Sequence, residues 1–274
     1  MDAANPLPIS PNELSELLRV FPPPTLVDAR SAEAFTQTSQ LLPTAIRREA
    51  DAQTWASEIE PWRPVVAYCA HGGERSRRAA VALAQRGLSA RYLEGGFDAW
   101  KESGGSLEQA RPPTRWVTRA RPKIDRIACP WLIRRFLDPG AEFFYVPTAE
   151  VTSFAKANGA EPYDVPDVTY SHAGSACSFD AFIRIHGLKD AALDDLARVV
   201  RGADTAALEL APQAPGLLAV SLGLSQMFAD DLAMLRWGML VYDALYVWCR
   251  QARGETHGWD PAKIHAQQRA PLAA

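Results

Sequence analysis

Val65-Val-Ala-Tyr-Cys69-Ala-His71-Gly72-Gly73-Glu74-Arg75-Ser76-Arg-Arg-Ala-Ala80 decides how the first hundred residues are read. Four uncharged, mostly β-favouring residues make a strand buried on both faces. They deliver Cys69 to its carboxyl end, and a Gly-bearing turn then opens a helix over 76–86. That helix carries Ala80, Val81, Leu83 and Ala84 on its apolar side and is closed by Gly87. Working outward, Thr25–Asp28 is a second buried strand ending at an acid, and Ala90–Leu93 a third. Before them, Ser10 caps a helix whose first position is Pro11. After them, Gly95-Gly96 leads into a helix through Phe97 and Trp100. Strands alternating with helices at this spacing predict an α/β domain with a parallel sheet.

The same stretch carries chemistry. Open α/β sheets bind ligands at the carboxyl edge of their strands, and Cys69 stands there. Turn amides and a helix N-terminus favour negative charge, so Cys69 is expected to be a thiolate of lowered pKa. Gly72 and Gly73 allow backbone angles that aim amides inward, so that Ala70, His71, Gly72, Gly73, Glu74 and Ser76 form the binding loop. Arg75 adds a forked cation for an oxyanion. A nucleophilic sulfur facing a small anion is the expected outcome. Glu74, a carboxylate within the loop, is expected to point outward or to pair with Arg75, Arg77 or Arg78, because an inward charge would oppose an anion.

Residues 20–105 resemble a single rhodanese domain. The resemblance rests on Leu26-Val-Asp28-Ala-Arg30 with Glu33 and Phe35, the Cys69 loop, and Leu93-Glu-Gly95-Gly96-Phe97-Asp-Ala-Trp100. It implies that Cys69 attacks the outer sulfur of thiosulfate or a similar small anionic donor. The resulting persulfide is then passed to cyanide or a thiol, with no cofactor required. Asp28 and Arg30 would brace the site edge. The loop departs from the usual rhodanese pattern, since Cys69 and Arg75 are spaced C-x5-R, one residue longer. That spacing is similar to dual-specificity phosphatases and arsenate reductases, whose wider loop takes a tetrahedral oxyanion.

The chain has 274 residues, a net charge of −3, and 47% hydrophobic residues with eight Trp and ten Phe. This composition buries real cores and excludes a disordered chain. Near-neutral charge argues against a general nucleic-acid binder. Four Cys without a CxxC pair read as reduced thiols rather than a disulfide framework. The first twenty residues lack the basic start and apolar run of a signal peptide, and no stretch is apolar enough to span a membrane, so the expected location is the cytoplasm. No sequence feature bears on oligomeric state.

The Gly-, Ser- and Pro-bearing stretch 101–113 breaks the pattern and marks a boundary. The expected organisation is an α/β rhodanese-like domain over 1–108, a linker over 109–114, and a mainly α-helical second domain over 115–274. In the second domain Trp116–Thr118 and Glu142–Val146 read as strands. Asp125–Leu137, 179–186, 190–201 and the broken tract 216–251 read as helices.

Residues 115–251 resemble the C-terminal domain of the bacterial chromate-resistance protein family. The carrying motifs run from Trp116 through Arg119, Lys123, Asp125, Arg126, Cys129-Pro-Trp131 and Arg134-Arg135-Phe136. They continue with Ser171-His172-Ala-Gly174-Ser-Ala-Cys177-Ser-Phe179-Asp180 and Leu240-Val-Tyr242-Asp243-Ala-Leu-Tyr246. The resemblance implies resistance to, or sensing of, chromate.

Three features could carry chemistry there. His172, Cys177, Asp180 and His186 are candidate ligands for zinc or iron, against the plainer reading of a loop histidine and a core thiol. Arg119, Arg121, Lys123, Arg126, Arg134 and Arg135, with Asp125 the sole acid among them, could hold an anion such as chromate or form a solvated helix face. Asp204, Asp230, Asp231 and Asp243 are acids in apolar surroundings. Asp230-Asp231 is expected to open a helix, and Asp243 to be buried against an arginine of the 119–135 set. Trp237, Met239, Leu240, Leu245 and Trp248 read as core.

The leading expectation is a sulfurtransferase acting through a Cys69 persulfide in a protein associated with chromate resistance. The alternatives are a chromate-sensing regulator with an inert rhodanese module, or a phosphatase or oxyanion reductase using the C-x5-R loop.

Overall fold

The computed structural model describes residues 6–49 and 51–254. Expectations for 1–5 and 255–274, including the end of the second domain, lie outside the described residues. The chain separates into two compact units, dividing between Pro112 and Pro113.

The first unit holds β1 (Pro8–Ile9), α1 (Pro11–Leu18), β2 (Thr25–Asp28), α2 (Ala32–Thr36), β3 (Gln40–Leu41), β4 (Ile46–Arg47), β5 (Val65–Tyr68), α3 (Glu74–Gln85), β6 (Ala90–Leu93), α4 (Gly96–Glu102) and β7 (Glu108–Gln109). Five strands form a parallel sheet in the order β1-β6-β5-β2-β4, with β5 central. Side chains alternate across a strand, and the cores follow that rule. Leu26 and Val66 pack with Leu14, Leu93, Phe97 and Trp100 on one face. Val27 and Val65 pack with Trp55, Ile59 and Leu83 on the other. The expected strands and helices are present, and Ser10 accepts the amide of Glu13 as the cap of α1. Helix α3 begins at Glu74 rather than Ser76, so Glu74, Arg75 and Ser76 form its first turn. The boundary stretch 101–113 holds the end of α4 and β7, which pairs antiparallel with β3.

The second unit holds β8 (Arg115–Arg119), α5 (Asp125–Leu132), β9 (Glu142–Val146), α6 (Val151–Asn158), β10 (Glu161–Pro162), α7 (Ser178–Ile185), α8 (Ala191–Asp204), α9 (Ala214–Met227) and α10 (Asp231–Val247). It is mainly helical around a small parallel sheet ordered β10-β8-β9. Helix α5 contains Pro130 and passes into a π-helical turn over Ile133–Leu137. Proline has no amide hydrogen, so the carbonyl four residues earlier loses its helical donor. That carbonyl belongs to Arg126, and the hydroxyls of Tyr145 (2.9 Å) and Tyr163 (3.4 Å) donate to it instead.

Asp230 caps α10 through the Ala233 amide at 2.6 Å, as its position in sequence suggests. Asp243 is buried and accepts from Trp131 Nε1 (2.8 Å), Arg135 Nε (2.8 Å) and Arg135 Nη2 (2.9 Å). Two of the expected core positions differ. Met239 is fully buried, but Trp237 and Leu240 are exposed at 36% and 39%. Helix α10 is apolar nearly all round, so composition alone does not tell its buried stripe from its outer face. Among the described residues, no helix is long and apolar enough to cross a membrane.

Candidate functional site

Cys69 follows β5 directly, its residue 6% exposed. Its sulfur receives the Gly73 amide at 3.1 Å and lies 3.2 Å from the Ser76 hydroxyl. Ser76 is buried in the first turn of α3, and its hydroxyl also donates to Gly73 O at 3.1 Å. A hydroxyl has a single proton. When that proton sits on Gly73 O, Ser76 can only accept from a Cys69 thiol. When it turns to sulfur, it stabilises a thiolate together with the Gly73 amide and the start of α3.

The loop is held from behind by α4. Phe97 N donates to Cys69 O (2.8 Å) and Asp98 N to Ala70 O (3.1 Å). This close approach requires glycine twice. Gly72 has φ +65°, and a Cβ there would stand 2.5 Å from Gly95 N. Gly96 has φ +62°, and a Cβ there would stand 2.2 Å from Cys69 O. His71, largely exposed, places Nδ1 2.7 Å from Asp98 Oδ2. Glu74 points to solvent.

Arg75 is not folded over the loop as the sequence suggests. Its Nε donates to Ala29 O at 2.9 Å and its Nη2 lies 3.9 Å from Glu49, so it ties α3 to the end of β2. The buried arginine is Arg30. It makes paired hydrogen bonds to Asp28 (2.9 and 2.6 Å), donates to Thr38 Oγ1 and Gln40 O, and lies 4.2 Å over the Phe97 ring. A cavity of about 320 Å³ opens beside the loop; Arg30, Ser31, Thr38, Ala70, His71 and Phe97 are among its walls.

The second unit gathers a different set from the one its spacing suggests. His172 Nε2 lies 3.1 Å from Asp204 Oδ2, 3.3 Å from Asp164 Oδ1 and 3.6 Å from Asp125 Oδ2. The other three candidate ligands are engaged elsewhere. Asp180 pairs with Arg201 (2.8 and 2.5 Å) and caps α7 through the Cys177 amide. His186 stacks on Tyr170 and Phe182, its Nε2 3.2 Å from Tyr170 Oη, and burial lowers its pKa. Cys177 is buried, and burial above all, then the Asp125 charge, pushes its thiol pKa up, which suits a core thiol rather than a ligating thiolate.

Asp125 opens α5 and accepts the α7 amides of Ser178 (2.5 Å) and Phe179 (3.3 Å). Asp164 accepts from Ser178 Oγ (2.9 Å) on one oxygen and from Arg119 (2.9 Å) on the other, with Arg126 at 3.3 Å. Burial first, and then the neighbouring carboxylates, raise the pKa of Asp125 and Asp204.

Lys123 apart, the basic set is engaged by groups of its own unit. Arg119 and Arg126 meet Asp164, Arg135 meets Asp243, and Arg134 donates to Ala141 O. Arg121 binds Asp231 through its amide and the carbonyls of Ser225 and Phe228 through its side chain. Their acids come from distant segments, which a reading of 115–137 alone does not include. Sequence reading noted Asp125 and Asp204 but did not join them to His172, and it missed Asp164 altogether.

The first unit has the sheet, the strand-end cysteine and the loop-to-helix turn of a rhodanese-like domain, and the family model of that description matches residues 10–103. The family model described as ChrB, C-terminal domain, matches residues 116–249. The chain is thus a rhodanese-like domain followed by a ChrB C-terminal domain, homologous to Protein ChrB. It is 32% identical to Protein ChrB of Cupriavidus metallidurans over 142 residues, covering 50% of this chain and 42% of that protein. The chain therefore spans less than half the length of that curated relative. Among solved structures, a rhodanese-related protein from Thermoplasma volcanium is 24% identical, covering 38% of this chain and 99% of that one at a TM-score of 0.34. A rhodanese-like domain protein from Staphylococcus aureus is 27% identical, with 38% and 99% coverage and a TM-score of 0.33.

Proposed function

We propose that the first unit is a sulfurtransferase with Cys69 as nucleophile, in a protein that serves chromate resistance. The observation that carries the first part is the sulfur at a parallel-strand end, with the Gly73 amide at 3.1 Å and the Ser76 hydroxyl at 3.2 Å. The Cys69 thiolate attacks the outer sulfur of thiosulfate, forming a persulfide S–S bond as sulfite leaves with the bonding pair. The persulfide's terminal sulfur then passes to cyanide or an acceptor thiolate, and the Cys69 thiolate is regenerated. Charge stays on sulfur throughout, beside one amide, one hydroxyl and the start of α3. A cavity of about 320 Å³ beside Ala70 and His71 supports an approach to the loop from that side. The chromate-resistance association rests on likeness to Protein ChrB.

The tetrahedral-oxyanion alternative needs Arg75 over the loop, whereas Arg75 binds Ala29 O. The test is thiocyanate formation from thiosulfate and cyanide. Wild-type protein should be active and Cys69→Ala inert. Equal rates would refute sulfur transfer and favour a regulatory role.

A further inference from the structure

Asp125, Asp164, His172 and Asp204 come from the start of α5, the turn after β10, the loop before α7 and the end of α8. We propose that these four side chains bind one divalent first-row transition-metal ion, of the Mn²⁺, Fe²⁺ or Zn²⁺ class.

The spacing is the first argument. An ion bonded to oxygen and nitrogen at about 2.0–2.2 Å holds adjacent ligand atoms roughly 3.0–3.5 Å apart in octahedral or tetrahedral geometry. The imidazole nitrogen lies 3.1, 3.3 and 3.6 Å from its three carboxylate oxygens. For Asp125, Asp164 and His172, one ligand atom from each lies within 4.8 Å of the others.

The second argument is unmet bonding. A neutral imidazole offers at most one proton at Nε2, so it cannot serve three carboxylates at 3.1, 3.3 and 3.6 Å at once. Asp125 is 1% exposed, and its Oδ1 is enclosed without a hydrogen-bond partner. A buried carboxylate oxygen without a donor is costly, and an ion held by this carboxylate would offset that cost.

The third argument is the outer ring of contacts. The Ser178 and Phe179 amides fix Asp125, the Ser178 hydroxyl and Arg119 fix Asp164, and the Asp125 amide approaches Asp204 Oδ1 at 3.4 Å. Such outer partners hold ligands in place before an ion arrives. Three oxygens with one imidazole suit the borderline divalent ions named. His172 is 40% exposed and Asp204 17%, which places the entry on their side.

The test uses the full chain, stripped with a chelator, desalted and titrated with Mn²⁺. The bound ion is counted by loss of the free-ion paramagnetic resonance signal. Mn²⁺ avoids confusion with the four thiols, which would capture zinc. Wild-type protein should take up one ion per chain. His172→Ala, at a part-exposed position, and Asp204→Asn should each bind at least about tenfold more weakly, with circular dichroism confirming that both fold. Cys69→Ala should bind as wild type does. No uptake by the wild type, unchanged affinity in both cluster variants, or loss of binding in Cys69→Ala would each overturn the assignment.

Discussion

Replacing Gly96 by alanine tests how the Cys69 loop is held. The new Cβ would stand 2.2 Å from Cys69 O, 2.4 Å from Gly72 N and 2.9 Å from Ala70 O, all backbone atoms, where real Cβ contacts stay beyond 3.0 Å. No side chain can swing away, so the loop itself must retreat by roughly 1 Å. Misplacing a reacting group by that distance costs on the order of 100-fold in rate. The positive φ of +62° adds about 1–2 kcal/mol of strain for a non-glycine residue, and crowding adds about 1–3 kcal/mol. Gly87→Ala is the matched control. Its φ is +81°, but nothing lies within 4 Å of the new Cβ. Both variants should therefore lose stability in urea, by about 2–5 and about 1–2 kcal/mol respectively. Only Gly96→Ala should lose thiocyanate formation, by about 100-fold while still folded. Wild-type turnover in folded Gly96→Ala, or equal losses in both variants, would refute the account of the loop.

Ser76→Ala removes the hydroxyl at 3.2 Å from sulfur. A hydrogen bond to a charged group is worth about 1.5–3 kcal/mol, so persulfide formation should slow by roughly 10- to 100-fold; an unchanged rate would mean the proton stays on Gly73 O. Asp243→Ala removes the carboxylate that Arg135, whose side chain is 2% exposed, meets at 2.8 Å. Losing one partner of a buried pair costs about 3–5 kcal/mol, readable by thermal unfolding, whereas joint replacement of Asp243 and Arg135 by leucine and methionine should recover most of it. Burial pushes the Cys249 thiol up to about 11, and raises Cys129 and Cys177 as well. Thiols with a raised folded pKa stay protonated, so alkylation of the native chain at neutral pH should mark Cys69 and spare these three. Stability from keeping them protonated is complete below about pH 9 and declines above it, which alkaline melts would register as a falling transition temperature.

What could be read from the sequence divides by distance along the chain. The Cys69 loop lies within one strand, one turn and one helix, so local pattern conveys its course; the aim of Arg75 depends on Ala29 and Glu49, contributed by other segments. The acid–imidazole cluster is the opposite case. Asp125 and Asp204 lie 79 residues apart, and tertiary packing alone joins them. The spacing H-x4-C-x2-D-x5-H therefore does not bring His172 to the acids it lies beside. Burial of Asp243 against an arginine was inferable, since a lone acid in an apolar helix needs a cation. Exposure of Trp237 and Leu240 was not, because helix α10 is apolar on most sides. Strand β7 has two residues and no periodicity to betray it.

Pro130 carries a consequence beyond its own helix. By withholding a hydrogen from the carbonyl of Arg126, it recruits Tyr145, within β9, and Tyr163, just after β10, onto the opening turn of α5. That turn also presents Asp125 and Arg126, both facing Asp164 across the acid cluster. Trimming both phenols to phenylalanine would leave a backbone oxygen wanting a donor and let the turn tilt. Carboxylates several residues from either ring would drift with it. In this unit the aim of an acid is set by a ring that lacks a proton.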